Sequence, residues 1–453
     1  MKNKGVSGRK AREAALKALV RLEQDQAYLN LALPALLTEL EQEDRALAAR
    51  LATGTVRMLN SLDWMLGLFL KHPLESLTPW IRNLLRLSAY QIIYLERIPD
   101  YAAVDEAVAL SRRYGHRGVA GLVNAVLRKL VAESKSLPWP EREQQPVEYL
   151  SLKYGLPVWL AKRALDVFSL TEAEDWADAS NTPARISLRP NILRVSSGKL
   201  AENLLAEGLE TEKSTVSPVM LRVVKGITPS KTDAFSKGLF TIQGESSSLV
   251  SLILNPKPGE IILDLCSAPG GKTTHLAELS NDRGIIYAVE LHPKRLKLVV
   301  KAAARLGLKS IQPIQADGRK LDAGRIKPPD SILVDAPCSG LGVIRRLPEI
   351  KWRRNEDTLM QFQKLQLELL ASAAAFLKPG GKLLYSVCTT EPEETREVVS
   401  IFNRLHRDFS QIAAPALLPD TIVKDQEDPV TITFRPHRHD LDGFFIAMWR
   451  KKG

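Results

Sequence analysis

Two short runs place thiols and a carboxylate where chemistry is done: Asp335-Ala-Pro-Cys338-Ser-Gly and Tyr385-Ser-Val-Cys388-Thr-Thr, each closing a run that reads as a β-strand. A lone cysteine at a strand end is usually a small buried hydrophobe. Two at matching strand ends, one directly behind an Asp-Ala-Pro turn, shift that balance toward a reactive role. A third run, Asp264-Leu-Cys266-Ser267-Ala268-Pro269-Gly270-Gly271-Lys272, has glycines that allow close backbone approach and leads into a helix whose first N–H groups are free. It is not a Walker loop, because the position that needs glycine, five residues before Gly271, is Cys266; the GxGxxG pattern is absent as well. Glu290, 20 residues after Gly270, closes the next strand and suits two ribose hydroxyls, the plainer alternative being a surface carboxylate. Asp317 closes a third strand, where it suits an adenine edge or is a solvated turn residue before Gly318.

These residues need a scaffold of alternating strands and helices. Strands are expected at Ile261–Leu265, Ile285–Glu290, Ile311–Gln315, Ser331–Asp335 and Lys382–Val387, with helices over Thr273–Leu279, Lys294–Leu306 and Thr358–Phe376. Near-continuous apolar strands of this kind make a buried parallel sheet of doubly wound α/β type, whose ligands bind beyond the strand C-termini. Val430–Arg435 and Gly443–Trp449 are β-rich and suggest a terminal antiparallel hairpin. Gly8 to Ser134 reads differently. Ala15, Leu16, Leu19 and Leu22 form one helical face, and similar stripes recur, which predicts an all-α bundle of six or seven helices. Pro138, Pro140 and Pro146 mark a linker. A helix over Val147–Phe168 and a small α/β module follow, with strands at Arg185–Arg189 and Met220–Val224 around a helix at Lys199–Glu207. The expected domains are therefore 1–137, 147–243 and 244–453.

The 453 residues carry a net charge of +11, so an anionic partner is expected, although charge alone does not separate nucleic acid from a membrane surface. Three scattered cysteines exclude a disulfide framework and argue against structural zinc. His437 and His439 lack cysteine or acidic partners at ligand spacing, so no metal is expected. No apolar stretch is long enough for a secretory signal or a bilayer span, which points to a cytoplasmic protein; monomer is the default. Arg345, Arg346, Lys351, Arg353 and Arg354 surround Trp352, a mixture suited to RNA phosphates and base stacking, or simply to a solvated face. The basic arm Lys2–Lys17 is a second candidate contact or a disordered tail.

The strings DLCSAPGGKTTHLAEL, VDAPCSGLGVIRR, PEIKW, YSVCTT and RPHRHDLDGFF closely resemble the RNA 5-methylcytosine methyltransferases (the NOL/NOP/Sun family), from Ile261 to the C-terminus. Within that family the chain resembles the bacterial RsmB-type 16S rRNA enzymes, because its helical N-terminal part is similar to the NusB fold. The resemblance implies a Rossmann-like methyltransferase domain behind a NusB-like RNA-binding domain. It implies S-adenosylmethionine as cofactor, held by Cys266–Lys272, Glu290, Asp317 and Asp335, and a specific 16S rRNA cytosine as target. Cys388 would attack carbon 6, Asp335 would stabilise the adduct near N3, and Cys338 would help expel the enzyme once carbon 5 loses its proton. Many members carry threonine before the attacking cysteine; here the residue is Val387, which removes a hydroxyl. A tRNA cytosine methyltransferase, a non-catalytic RNA-binding assembly factor and a small-molecule methyltransferase are the rival readings.

Overall fold

The computed structural model describes residues 4–217, 219–413, 420–426 and 428–453. These fall into two compact units. The first runs to Thr182 and takes in the distant segment Ile344–Arg353; the second holds Pro183–Val343 and the chain from Arg354 onward.

The first unit is helical: α1 (Lys4–Gln24), α2 (Leu29–Leu37), α3 (Gln42–Arg57), α4 (Leu59–Gly67), α5 (Pro79–Tyr94), α6 (Asp100–Tyr114) and α7 (Arg117–Glu133). Ala15, Leu16 and Leu19 of α1 are buried with Leu51, Leu62, Leu84 and Leu127 in one core, as their helical spacing requires. The N-terminal arm is thus part of a helix from Lys4 onward, while Lys2 lies outside the described residues. The single helix expected over Val147–Phe168 is two, α8 (Pro146–Lys153) and α9 (Val158–Val167), because Gly155 turns left-handed (φ +62°) and Pro157 follows. With α10 (Leu170–Asn181) they pack in the first unit rather than with the module after them. Asn60 of α4 ties α8 down, donating to Ser151 Oγ at 2.6 Å and to the Leu156 carbonyl at 3.2 Å.

The second unit opens with β1 (Ser187–Pro190), α11 (Ser197–Ala206), β2 (Leu209–Lys213), β3 (Leu221–Gly226), the short α12 (Asp233–Ser236) and β4 (Phe240–Ile242). These strands form an antiparallel sheet in the order β2-β3-β1-β4 around Leu188, Leu204, Leu221 and Phe240. After α13 (Glu245–Leu254) the α/β part follows: β5 (Ile261–Leu265), α14 (Gly271–Leu279), β6 (Ile285–Glu290), α15 (Pro293–Leu306), β7 (Ile311–Gln315), β8 (Ser331–Asp335), α16 (Glu356–Phe376), β9 (Lys382–Val387), α17 (Arg396–Leu405), β10 (Phe409–Gln411), β11 (Thr431–Phe434) and β12 (Phe444–Lys451). The sheet order is β10-β12-β9-β8-β5-β6-β7, with β11 also on β12. The strands from β9 to β7 are parallel; β12 pairs antiparallel with β9, β10 and β11. The chain winds outward from β5 to β7 and then returns to β8 on the other side of β5. That reversal makes the β5–β8 crevice the topological switch point. Among the described residues no helix is long and apolar enough to cross a membrane.

Candidate active site

The chain leaves β5 through a loop that only particular residues fit. Cys266 sits at φ +63° and Gly270 at φ +105°; a Cβ on Gly270 would stand 3.1 Å from Val299 Cα, so this backbone lies directly on α15. Helix α14 then begins at Gly271, presenting its N-terminus at the C-terminal edge of the sheet. Thr273 Oγ1 donates to Asp264 Oδ2 at 2.6 Å, closing the loop onto its strand. Asp264 is fully buried, and burial together with the nearby Asp335 pushes its carboxyl up to about 7.

The two strand-end carboxylates differ. Buried Glu290 accepts the His292 N–H on Oε1 at 3.0 Å, while Oε2 receives no hydrogen bond and has the Arg295 guanidinium 3.4 Å away. A buried carboxylate oxygen without a donor is costly, and a pair of ribose hydroxyls is a fitting remedy. Asp317 instead has both oxygens gripped by Arg319, at 3.0 Å from Nε and 2.7 Å from Nη2. These bonds hold its carboxyl below the usual carboxylate range.

At the switch point itself Lys272 Nζ donates to Asp335 Oδ2 at 2.7 Å, and Ser386 Oγ of β9 donates to Oδ1 at 2.8 Å. The Lys272 ammonium, at the end of the cofactor loop, rests on the carboxylate of the neighbouring strand and 4.9 Å from the Phe444 ring centre. The Cys338 and Cys388 sulfurs lie 3.3 Å apart. Their hydrogen bond, and then burial, push the Cys338 thiol well above its ordinary value. Burial, followed by Asp335 and Glu290, raises Cys266 to about 12, which makes it a poor nucleophile. Val387 is buried in the core cluster with Leu383 and Tyr385, whereas Cys388 packs against a different cluster. The side chain that lacks the hydroxyl therefore points into the core, as strand alternation demands.

The loops carrying the thiols are locked by contacts that sequence reading missed. The Gly342 N–H donates to the Cys388 carbonyl at 3.0 Å and the Gly443 N–H to the Gly342 carbonyl at 2.8 Å. A Cβ on Gly342 would stand 2.0 Å from the Gly443 oxygen, so neither loop tolerates a side chain there. Glu394, fully buried just beyond Cys388, is a second omission. Its only signal was an acidic run, Glu391, Glu393 and Glu394, beside a reactive loop. A thiol pair, an ammonium–carboxylate pair and a glycine-bearing loop leading into a helix N-terminus at one switch point are equipped for nucleophilic catalysis by sulfur. Among the described residues no cluster of His, Cys, Asp and Glu is fit to hold a metal.

The basic segment behaves otherwise. Residues Pro348–Trp352 form a 3-10 turn within the first unit. Glu349 Oε1 accepts the Leu29 N–H at 2.9 Å, capping the N-terminus of α2. Lys351 Nζ donates to the Arg57 carbonyl at 2.7 Å, and Trp352 Nε1 to the Val56 carbonyl at 2.8 Å, capping the C-terminus of α3. Each charge has the sign its helix end favours. Arg353 donates to the Ala27 carbonyl at 2.6 Å, its guanidinium 4.2 Å from the Tyr28 ring centre. Arg345 is buried and donates to the Thr182 carbonyl at 3.3 Å. The expectation of an exposed phosphate-binding, base-stacking cluster is thus corrected for Arg345, Lys351, Trp352 and Arg353, whose polar groups are bound to backbone carbonyls. Arg346 is exposed. Arg354 donates to the Ser339 carbonyl at 2.9 Å, next to Cys338.

Three family models match successive stretches: the NusB family over residues 9–132, the ferredoxin-like domain of RsmF/B-like methyltransferases over 156–228, and the 16S rRNA methyltransferase RsmB/F model over 251–450. The probable ribosomal RNA small subunit methyltransferase B of Bacillus subtilis (strain 168) is 39% identical, the alignment covering 98% of this chain and 99% of that protein. The ribosomal RNA small subunit methyltransferase B of Sodalis glossinidius is 32% identical over 97% and 98%. Among solved structures, that of PH0851 is similar with a TM-score of 0.83 and 29% identity, covering 98% of this chain and 99% of that one. A methyltransferase homolog protein from Pyrococcus horikoshii aligns with a TM-score of 0.58 and 30% identity, over 67% and 97%.

Proposed function

The chain belongs to the ribosomal RNA small subunit methyltransferase B family, and on that premise we propose that it moves a methyl group from S-adenosylmethionine to carbon 5 of one cytosine in 16S rRNA, through a covalent bond between Cys388 and carbon 6. The observation that carries the reading is the 3.3 Å thiol pair set beside the Lys272–Asp335 ion pair at the β5–β8 switch point. Likeness to small-subunit enzymes along nearly the whole chain favours 16S rRNA over tRNA.

The donor-free oxygen of Glu290, the left-handed Gly270 and the α14 N-terminus fit the nucleoside and amino-acid parts of the cofactor, which Cys266–Lys272, Glu290 and Asp317 would hold. When bound, S-adenosylmethionine supplies an electrophilic sulfonium methyl. Carbon 5 of cytosine is too weak a nucleophile unaided; addition of the Cys388 thiolate at carbon 6 makes it enamine-like. Asp335, oriented by Lys272 and Ser386, meets the N3 edge of the base and relays to N3 the proton that the Cys388 thiol gives up, neutralising the negative charge that builds there. After transfer the carbon 5 proton leaves to water and its bonding pair restores the ring double bond. The carbon 6–sulfur bond breaks onto Cys388, whose departing thiolate accepts a hydrogen bond from the Cys338 S–H. The target base must be unpaired or flipped to reach these groups. Phosphate contacts fall to exposed Arg346 and to Arg354 beside the Cys338 loop.

The test is transfer of labelled methyl from S-adenosylmethionine to unmodified 16S rRNA, with bisulfite mapping of the product. One protected cytosine, lost in Cys388→Ala, is expected. Full turnover by Cys388→Ala overturns the nucleophile, and transfer to tRNA alone overturns the substrate.

A further inference from the structure

Cys338 is held by its two neighbouring peptide groups. Gln366 Nε2 on α16 donates to the Pro337 carbonyl at 3.0 Å, on one side of the thiol. The Ser339 N–H, on the other side, donates to Glu394 Oε2 at 2.8 Å. Gln366 Nε2 also donates to Glu394 Oε2 at 2.9 Å, so one carboxylate oxygen closes the bracket around the cysteine. Glu394 is itself fixed: Tyr385 OH, from the strand that leads to Cys388, donates to its carbonyl at 2.7 Å. Ser339 Oγ and Thr389 Oγ1, 3.1 Å apart, tie the residues next to the two cysteines. Glu394 Oε1 is buried without a hydrogen-bond partner, a cost a purely structural core would shed by using an apolar side chain.

We propose that Glu394 is the positioning residue for Cys338, holding its S–H against the Cys388 sulfur so that the methylated RNA is released. The hydrogen bond to Cys388, and then burial, raise the Cys338 thiol, which keeps Cys338 a hydrogen-bond donor and leaves attack to Cys388. The inference rests on the covalent reading given above, and its test must separate the two.

The full-length protein, S-adenosylmethionine and unmodified 16S rRNA are used to compare the first-turnover burst with the steady-state rate, and a denaturing gel reports protein–RNA adduct. In Glu394→Ala the steady-state rate falls roughly 10- to 100-fold, the burst falls far less, and adduct accumulates. Glu394→Gln, which keeps an acceptor for the Ser339 N–H, recovers most of the steady-state rate. Burst and steady state falling in parallel without adduct, or a glutamine variant no better than alanine, overturns the proposal. Should Glu394→Ala not fold, Gln366→Ala removes the Pro337 tie and gives the same split; a parallel loss there overturns it. Cys338→Ala run alongside accumulates adduct if the covalent reading holds. Adduct in Cys338→Ala with none in Glu394→Ala sinks the positioning role alone, and adduct in neither sinks the covalent reading beneath it.

Discussion

Both units bury a cation completely, and they do so in opposite ways. In the second unit Arg189 of β1 uses every N–H it has. It donates to Glu278 Oε1 at 2.8 Å and Oε2 at 3.2 Å, to Thr274 Oγ1 at 3.0 Å, to the Gly271 carbonyl at 2.6 Å and to Gln243. It therefore fastens the small antiparallel sheet to the helix that carries the cofactor loop. In the first unit Lys351 faces the carbonyl end of α3 and the neighbouring Arg57, and burial pushes its ammonium well below the ordinary lysine value. A planar guanidinium with a matching carboxylate can be entombed as a joint. A lysine without one leans on the carbonyl end of the helix, and burial lowers its affinity for the proton. What matters for a buried charge is the counter-charge left behind when it goes.

That difference can be broken by substitution. Arg189→Met strands Glu278 in the core and should lower the unfolding free energy of the second unit by about 3–5 kcal/mol in urea titrations, with Glu278→Leu added on top restoring much of it. A loss below ~1 kcal/mol would show that the joint holds nothing together. Asp264 extends the comparison to an acid whose hydrogen bond, among the described residues, comes from a hydroxyl rather than a cation. Its carboxyl moves from 3.8 to about 7 on folding, so its contribution is full below 3.8 and drains as pH rises through 7. Between pH 5 and 8 the second unit should lose roughly 2–3 kcal/mol through this group, a slope that Asp264→Asn flattens in pH-resolved melting. Lys351→Met should cost least, about 1–2 kcal/mol for the Arg57 carbonyl left without its donor. Its affinity for 16S rRNA at fixed salt should not change; a shallower salt dependence of binding would return Lys351 to the phosphate contacts.

Four of the five parallel strands were legible to the residue because each is a mostly apolar run closed by a polar turn, as in Ile261–Leu265 and Lys382–Val387, while Ile311–Gln315, polar at Gln312 and Gln315, was placed by the strand–helix alternation around it. The strands that escaped are short or polar. Leu209–Lys213 is polar and fully buried only at Leu209, and Phe240–Ile242 and Phe409–Gln411 have three residues each, too few for a period to register. The cofactor loop and both thiols were visible because their chemistry is local: the motif carries its own turn and its own reactive atom. The basic segment was misread for the opposite reason. Lys351 meets its carbonyl across 294 residues of chain, and nothing in RRLPEIKWRR distinguishes a cation awaiting phosphate from one that will cap a helix. Glu394 was missed likewise: what it holds is a peptide N–H 55 residues away.

The cap made by Pro348–Trp352 also sets an order of events in biosynthesis. When Thr182 is added to the growing chain, the bundle has its own helices, but α2 still lacks the Glu349 carboxylate and α3 the Lys351 and Trp352 donors. Those residues are synthesised only after β5 to β8 of the second unit, roughly 10–30 s later at ordinary elongation rates. The earliest domain to emerge is therefore among the last to be completed, and a nascent chain stalled before residue 349 carries a bundle with two open helix ends.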